Sequence, residues 1–273
     1  MIATFLGLVF FVGACVGSFL NVCIGRWPAD ESVVRPRSRC PRCGQMIAWY
    51  DNIPILSWMA LRARCRHCGE PISWQYPLVE ATVGIIWLAF VWWLGPSFTA
   101  LRLAAFATIL LGVAVTDAKY YLIPDGFTVS GLVLVGAASV AGAFIGFNVP
   151  FADPADALFG ACVGAGAITI IGWLGEVALK KEAMGFGDST LMAMAGAALG
   201  PGRALLTIFL GAAIAAAAFV LVVYPVTWLR ARAAEGSFEP PLVPFGVFLS
   251  PAAMIALLWG NQLIVWYLQR FTA

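Results

Sequence analysis

The sequence predicts an all-α membrane protein: a polytopic bundle of about eight transmembrane helices with a small polar, cysteine-bearing segment after the first. Two observations predict this fold class. Of the 273 residues, 62% are hydrophobic and 11% are charged, whereas a soluble domain carries about 25% charged residues. Apolar runs close to the length of a bilayer span recur along the whole chain, which indicates that lipid surrounds most of it.

Eight apolar segments are candidate membrane spans. They are approximately 1–25, 78–95, 99–116, 126–147, 155–179, 188–200, 203–229 and 244–270, and the sixth is short for a span. The first begins without a basic n-region, so we expect a retained helix rather than a cleaved signal. The predicted organisation is therefore a first helix (1–25), a polar segment (26–77) and a helix bundle (78–273).

The basic residues are distributed unevenly between the connections. If segment 26–77 is cytosolic, the alternate connections 117–125, 180–188 and 230–242 are cytosolic too, and these four segments hold 13 of the 16 Lys and Arg residues. Cytosolic loops of membrane proteins are enriched in these residues. The predicted orientation therefore places both termini outside and segment 26–77 in the cytosol.

Four cysteines in the polar segment form two C-x2-C pairs. Cys40 and Cys43 form the first pair, Cys65 and Cys68 form the second, and 21 residues separate the pairs. A tight turn within each pair allows both thiolates to face one ion, and two pairs supply the four sulfur ligands of a structural zinc site. His67, the one histidine, lies inside the second pair and is interpreted as a loop residue.

Two other interpretations of these cysteines stay open. Disulfides are one, although a cytosolic segment lies in a reducing compartment. A redox-active thiol pair is the other, and it would make the protein a membrane thiol oxidoreductase with no bound zinc.

Three aspartates stand beside apolar segments, where a charge is costly and therefore indicates function. Asp117 follows the apolar run 110–116, Asp125 comes eight residues later, and Asp188 opens the short sixth span. The predicted topology places Asp117 and Asp188 at the same membrane surface. Two converging carboxyl groups can share one proton, so that one activates water while the other polarises a peptide carbonyl.

Further residues near these acids are candidates for supporting roles. Gly185 and Gly187 precede Asp188 and suit a tightly bent backbone or the close approach of a peptide. Asp125 follows a proline and precedes a span, so helix capping and catalysis are both open for it. Glu80 lies just inside the second span, and both a functional and a structural role are open for it.

Together, these motifs resemble the bacterial type IV prepilin peptidases, which are intramembrane aspartic proteases with a Gly-x-Gly-Asp motif. The resemblance covers nearly the whole chain. Its motifs, in order, are Gly17-Ser18-Phe19-Leu20-Asn21-Val22, the two cysteine pairs with Trp49-Tyr50-Asp51-Asn52-Ile53-Pro54 between them, Tyr76-Pro77-Leu78-Val79-Glu80, Leu122-Ile123-Pro124-Asp125, Gly185-Phe186-Gly187-Asp188 and Pro244-Phe245-Gly246.

The resemblance implies an enzyme of the bacterial inner membrane that removes the basic leader of type IV prepilins or type II secretion pseudopilins at the cytosolic face. It implies that Asp117 and Asp188 are the catalytic pair and that the four cysteines bind a metal. It also implies methylation of the new N-terminus with S-adenosylmethionine, at a site that the sequence does not locate. Prepilins and membrane lipid are expected partners, nucleic acid is not, and the oligomeric state is left open.

The chain departs from the family pattern at two positions. The family usually has a lysine two residues after its second catalytic aspartate, and here that position is Thr190. A nearby ammonium favours an ionised carboxylate, so this difference bears on the pH optimum and the rate. The usual proline after Pro244-Phe245-Gly246 is Val247.

Two further alternatives stay open. A non-enzymatic transporter or assembly scaffold is one, but it would not account for the order of the motifs. An inactive protease homologue with methyltransferase activity alone is the other.

Overall fold

The structure is a computed structural model that describes residues 2–146, 149–180, 184–233 and 243–271. Across these residues the chain is helical and contains no strand, apart from two isolated β-bridges, Arg39 with Met46 and Arg64 with Pro71. The all-α prediction is confirmed. The chain divides into two compact units, Met1–Gly112 and Val113–Ala273, and each is described by itself.

Ten α-helices follow one another in the described residues. They are α1 (Ile2–Arg26), α2 (Leu56–Ala60), α3 (Gln75–Leu94), α4 (Phe98–Tyr120), α5 (Asp125–Ile145), α6 (Pro154–Leu179), α7 (Phe186–Leu199), α8 (Pro201–Ala218), α9 (Tyr224–Ala233) and α10 (Gly246–Phe271). Short 3₁₀ helices occupy Trp27–Ala29 and Trp49–Asn52, and a π-helical turn, Phe219–Val223, joins α8 to α9.

Seven of the eight predicted spans are helices long and apolar enough to cross a membrane, so the chain is a multi-pass membrane protein. They are Ile2–Ala29, Gln75–Leu94, Phe98–Tyr120, Asp125–Ile145, Pro154–Ala178, Pro201–Trp228 and Gly246–Arg270. The predicted second span begins earlier than expected, at Gln75. Most of the predicted cytosolic connection 230–242 lies outside the described residues.

The predicted sixth span is a buried core helix of the Val113–Ala273 unit. Its 14 residues extend about 21 Å at a rise of about 1.5 Å per residue, short of a hydrocarbon core of about 30 Å. Eight of the nine residues from Leu191 to Leu199 are buried. An apolar stretch of this length is typical of a helix enclosed by others.

Glycines allow α7 to lie directly against α6. A side chain at Gly160 of α6 would collide with the carbonyl group of Gly196 of α7, and a side chain at Gly196 would collide with that of Gly160. The same holds nearer the start of α7, where Gly164 faces the carbonyl group of Met192. Small residues at membrane helix contacts permit such close approach. The pairing 160 with 196 and 164 with 192 makes the two helices antiparallel.

In the Met1–Gly112 unit, α1 and α3 form an equally close pair. A side chain at Gly13 would come within 2.9 Å of the Cα atom of Gly84, and one at Gly17 within 2.8 Å of the Cα atom of Glu80. The buried face of α1 therefore packs against α3, and the other faces of α1 do not take part in this contact.

Candidate active site and cysteine cluster

Asp117 lies in the last turn of α4 and is only 5% exposed. Its Oδ2 atom accepts a hydrogen bond from the backbone N–H of Val247 at 3.2 Å, and the N–H of Gly246 also donates to this carboxyl group. These two residues begin α10. A helix N-terminus carries unpaired N–H groups and a partial positive charge, so the start of α10 offsets part of the cost of burying this carboxyl group.

Asp188 lies in the first turn of α7, whose N-cap is Gly185. The N–H of Asp188 donates to the carbonyl oxygen of Gly185 at 3.1 Å, and the carboxyl group of Asp188 accepts the N–H of Gly185. The second bond is the half of a capping box in which an acid at the third helical position accepts the N–H of the N-cap residue, and it orients the side chain. The charge of Asp117 acts directly on Asp188, so the structure brings the two predicted aspartates together.

The carboxyl group of Asp188 is recessed relative to the neighbouring helix α6. The adjacent Ser189 hydroxyl lies 3.1 Å from that of Thr169, which stands ten residues before Leu179, the last residue of α6. Ten helical residues extend about 15 Å. Because α7 begins three residues before Ser189, its start falls about 10 Å short of the end of α6.

Ile123 joins the segments that carry the two aspartates, and sequence reasoning did not single it out. It is 7% exposed. A side chain at Gly187 would come within 2.9 Å of its Cβ atom, and a side chain at Gly246 would come within 2.9 Å of its Cδ1 atom and of Oδ2 of Asp117. Both glycines are therefore required by packing around Ile123. The sequence pointed to these positions only indirectly, because Ile123 and Gly246 belong to the short motifs Leu122-Ile123-Pro124-Asp125 and Pro244-Phe245-Gly246.

Asp125 is placed differently from the other two aspartates. It is the first residue of α5 and its side chain is exposed. The N-cap of this helix is Pro124, and no side chain caps it, so the capping interpretation of Asp125 is wrong. An acid in the first turn still interacts favourably with the helix dipole.

Both departures from the family pattern have structural consequences at the site. The hydroxyl of Thr190 donates to the carbonyl oxygen of Gly187 at 3.0 Å, so it bonds within its own helix and brings no charge to Asp188. Val247 supplies a backbone N–H to Asp117. Proline has no N–H, so the residue usual in the family would not make this bond.

The four predicted cysteine ligands converge in the Met1–Gly112 unit. Their sulfur atoms all lie within 4.8 Å of one another, and the Sγ atoms of Cys40 and Cys68 are 3.8 Å apart. A tetrahedral zinc ion with bonds of about 2.3 Å places its sulfur ligands about 3.8 Å apart. The number, type and spacing of these donors therefore fit zinc.

The two cysteine loops have the same backbone structure. In each, the N–H of the first cysteine donates to the carbonyl group five residues later, at 2.9 Å in one loop and 2.8 Å in the other. The glycine four residues after that cysteine donates back to its carbonyl group at 2.9 Å in both. These glycines, Gly44 and Gly69, have φ values of 70° and 71°, in the left-handed region that favours glycine.

Protonation of the cysteine cluster is uneven. Backbone N–H groups of Cys68 and His67 lower the pKa of Cys65 to about 6. The N–H of Glu70 acts in the same direction on Cys68, but burial and the neighbouring thiols raise the pKa of Cys68 to about 12. Thiolates crowded together repel one another, whereas a divalent cation bound between them stabilises all four charges.

An ion pair connects the second cysteine loop to the residues between the loops. Arg66 donates from Nε and Nη2 to the two carboxylate oxygens of Asp51 at 2.7 and 2.6 Å, and this bidentate pair lowers the pKa of Asp51. The same guanidinium lies 5.6 Å from the ring centroid of Tyr50. The polar segment is thus held by polar contacts and a potential metal site rather than by a large apolar core.

Glu80 connects three parts of the Met1–Gly112 unit. It is 6% exposed, and its carboxylate accepts the N–H of Ile55 at 2.7 Å and a hydrogen bond from the Ser18 side chain. Ile55 has φ 62° and ψ −51°, which is strained for a β-branched residue. Glu80 therefore ties α1 and α3 to a strained turn of the polar segment.

Replacing Glu80 with alanine is expected to lower the free energy of unfolding by about 1–3 kcal/mol, because the N–H of Ile55 loses its acceptor. Denaturant unfolding of the purified protein in detergent measures this change. Glu31→Ala is the matched control, since Glu31 is exposed, and it should leave the unfolding curve unchanged. Equal stability of the two variants would show that Glu80 does not stabilise this turn.

The fold and the site together define a multi-pass membrane protein in which two acidic side chains, one in the last turn of α4 and one in the first turn of α7, lie close enough for their charges to interact. The family model described as the Bacterial Peptidase A24 N-terminal domain matches residues 11–94, and that of the Type IV leader peptidase family matches residues 104–221. The chain belongs to the type IV leader peptidase family.

Curated relatives cover nearly all of the chain, and each is named prepilin leader peptidase/N-methyltransferase. The protein from Myxococcus xanthus is 39% identical over 94% of this chain and 75% of its own length. Those from Stutzerimonas stutzeri and Pseudomonas aeruginosa are 35% and 34% identical, over 94% of this chain and 92% and 91% of their own lengths. No solved structure matches the chain. These comparisons give no support to a thiol oxidoreductase.

Proposed function

We propose that this protein is a bifunctional enzyme of the bacterial inner membrane that cleaves the basic leader from type IV prepilins or pseudopilins and then methylates the new N-terminus. Family membership and the names of the relatives support both activities. The peptidase part is carried by one observation: the buried carboxyl group of Asp117 interacts with that of Asp188.

In the proposed mechanism, the pair holds one proton between its two carboxyl groups. Asp117 is the ionised member, because two N–H groups at the start of α10 donate to it. It takes a proton from a water molecule as the water oxygen attacks the scissile carbonyl carbon. Asp188 is the protonated member and donates a hydrogen bond to the carbonyl oxygen. Proton transfer to the amide nitrogen then releases the mature N-terminus.

The two glycines before Asp188 have separate roles in this proposal. Among the described residues, the nearest atom that a side chain at Gly185 would meet is Oδ2 of Asp188, at 3.8 Å, which favours this position for a peptide beside the carboxyl group. Gly187 is required by its contact with Ile123. In this proposal, the peptide that joins the leader to the apolar helix of the pilin reaches Asp188 beside Gly185. Asp125, exposed at the start of α5, is a candidate contact for the basic leader.

Zinc bound by Cys40, Cys43, Cys65 and Cys68 would cross-link the polar segment 26–77 and supply much of its folding free energy. S-adenosylmethionine would supply the methyl group, and no residue is assigned to it. The organisation that we propose is a first helix (1–25), the zinc segment (26–77) and a peptidase bundle (78–273). The basic residues of the connections support a cytosolic location for the zinc segment and for the aspartate pair.

Co-expression with a type IV prepilin, followed by intact-mass analysis of the pilin, tests both activities at once. The expected product has lost its leader and gained one methyl group. A cleaved but unmethylated pilin would restrict the function to proteolysis. A prepilin that keeps its leader in the presence of folded, membrane-inserted protein would refute the proposed function.

Replacing Val247 with proline is expected to reduce cleavage about 10- to 100-fold, because it removes a hydrogen bond to a charged group worth about 1.5–3 kcal/mol. Proline is tolerated in the first turn of a helix, so α10 should still form. Initial rates of leader removal measure the effect. Val247→Ala keeps the N–H and is the matched control. A proline variant as active as the alanine variant would show that this bond does not contribute.

A further inference from the structure

A cavity of about 410 Å³ lies in the Met1–Gly112 unit, between α1 and the polar segment that follows it. Its volume falls in the range of about 300–1,000 Å³ that is usual for ligand sites. Neither the aspartate pair nor the cysteine cluster lines this cavity. The proposed peptidase chemistry therefore leaves it without a role.

One wall of the cavity is a single face of α1. It consists of Cys15, Ser18, Phe19, Val22 and Arg26, whose spacing of three and four residues places them on one side of the helix. From residue 15 to residue 26 this face extends about 16 Å. Its apolar part lies within a candidate membrane span, and Arg26 stands near the end of that span. The wall thus runs from hydrocarbon depth to the membrane surface.

The lining of the cavity includes two arginines and no acidic residue. Arg26 donates from Nη1 to the carbonyl oxygen of Ser32 at 2.9 Å and retains further donors. Arg37 lines the cavity from the polar segment and is exposed. Within the described residues its guanidinium has no hydrogen-bond or ion-pair partner. Two arginines that line one cavity favour an anion with several oxygen atoms, above all a phosphate.

We propose that this cavity binds an anionic phospholipid, with its phosphate between Arg26 and Arg37 and an acyl chain along the Cys15–Phe19–Val22 face of α1. Basic pockets beside membrane helices are suited to anionic headgroups, and the apolar wall gives the acyl chain a place that an inorganic phosphate would not use. A methyl donor with a sulfonium cation fits poorly beside two guanidinium groups. A basic prepilin leader would be repelled by them.

Native mass spectrometry of the full-length protein in a nonionic detergent tests this proposal. Phosphatidylglycerol and phosphatidylcholine with the same acyl chains are titrated against the wild type, Arg37→Gln and the matched control Arg39→Gln. Arg39 lies in the same segment and is also exposed, but it does not line the cavity. The wild type should prefer phosphatidylglycerol. Arg37→Gln should weaken its binding about fivefold, since an arginine near an anionic surface contributes about 1 kcal/mol.

Arg39→Gln should bind phosphatidylglycerol as the wild type does, and Arg26→Gln should show the same loss as Arg37→Gln. The proposal is overturned if Arg37→Gln and Arg39→Gln weaken binding equally, which would indicate general surface charge. It is also overturned if inorganic phosphate binds as tightly as the lipid, or if Arg37→Gln weakens binding of S-adenosylmethionine instead. Because the readout is lipid binding, the result is independent of whether the aspartate pair is catalytic.

Discussion

The Asp188→Asn protein is expected to insert into the membrane normally and to lose leader cleavage, with a rate at least about 10²–10⁴-fold below that of the wild type. Asparagine keeps the size of the side chain and can still accept the N–H of Gly185, so α7 should begin as before. It cannot, however, share a proton with Asp117. Asp117→Asn should have an effect of the same size, because neither carboxyl group can act without the other.

Conversion of prepilin to mature pilin, followed over time by intact mass, measures this loss. Asp156→Asn is the matched control, since it makes the same substitution at an exposed position in the first turn of α6, and it should cleave at the wild-type rate. The double variant Asp117→Asn/Asp188→Asn should be no slower than either single variant, as expected for groups that act as a unit. Normal cleavage by either single variant would remove that residue from the catalytic pair.

The Cys65→Ser protein is expected to bind no zinc and to unfold locally over segment 26–77. This segment has few apolar contacts to replace a metal whose apparent binding free energy in small zinc domains is about 10–16 kcal/mol. Elemental analysis of the wild type, purified in the presence of a reductant, should give one zinc per chain. Trypsin should then cut the variant rapidly within the segment, because most of its arginines are already exposed and local unfolding frees the backbone around them to enter the protease, while the membrane helices stay protected by detergent.

Cys162→Ser is the matched control, because Cys162 lies in α6 and not in the cysteine cluster. It should keep its zinc and its resistance to trypsin. Two results together would show that the four cysteines are not a structural metal site. The wild type would contain no zinc, and treatment with a chelator would not change its resistance to trypsin. Reversible disulfides in that protein would instead favour the redox interpretation.

Local features of the sequence were sufficient to predict much of this molecule. Apolar runs predict membrane helices because a span must satisfy its backbone within itself, and seven of the eight predicted spans are helices of sufficient length. Cysteine spacing predicts the cluster because each pair is closed by a six-residue turn. The exception is α7, whose apolar composition resembles that of a span. Its burial against α6 depends on glycine contacts between residues far apart in sequence.

What the sequence by itself determined is therefore the fold class, the place of the helices and the residue types available for chemistry. Tertiary structure alone decided that Asp117 receives hydrogen bonds from the start of α10, 130 residues later. It also decided that Ile123 packs against two positions where only glycine fits, and that Glu80 accepts the N–H of Ile55. Helix formation and short turns depend on neighbours a few residues away, and the sequence displays these directly. The environment of a buried carboxyl group depends on which distant backbone N–H groups face it, and only the packing of the helices sets that.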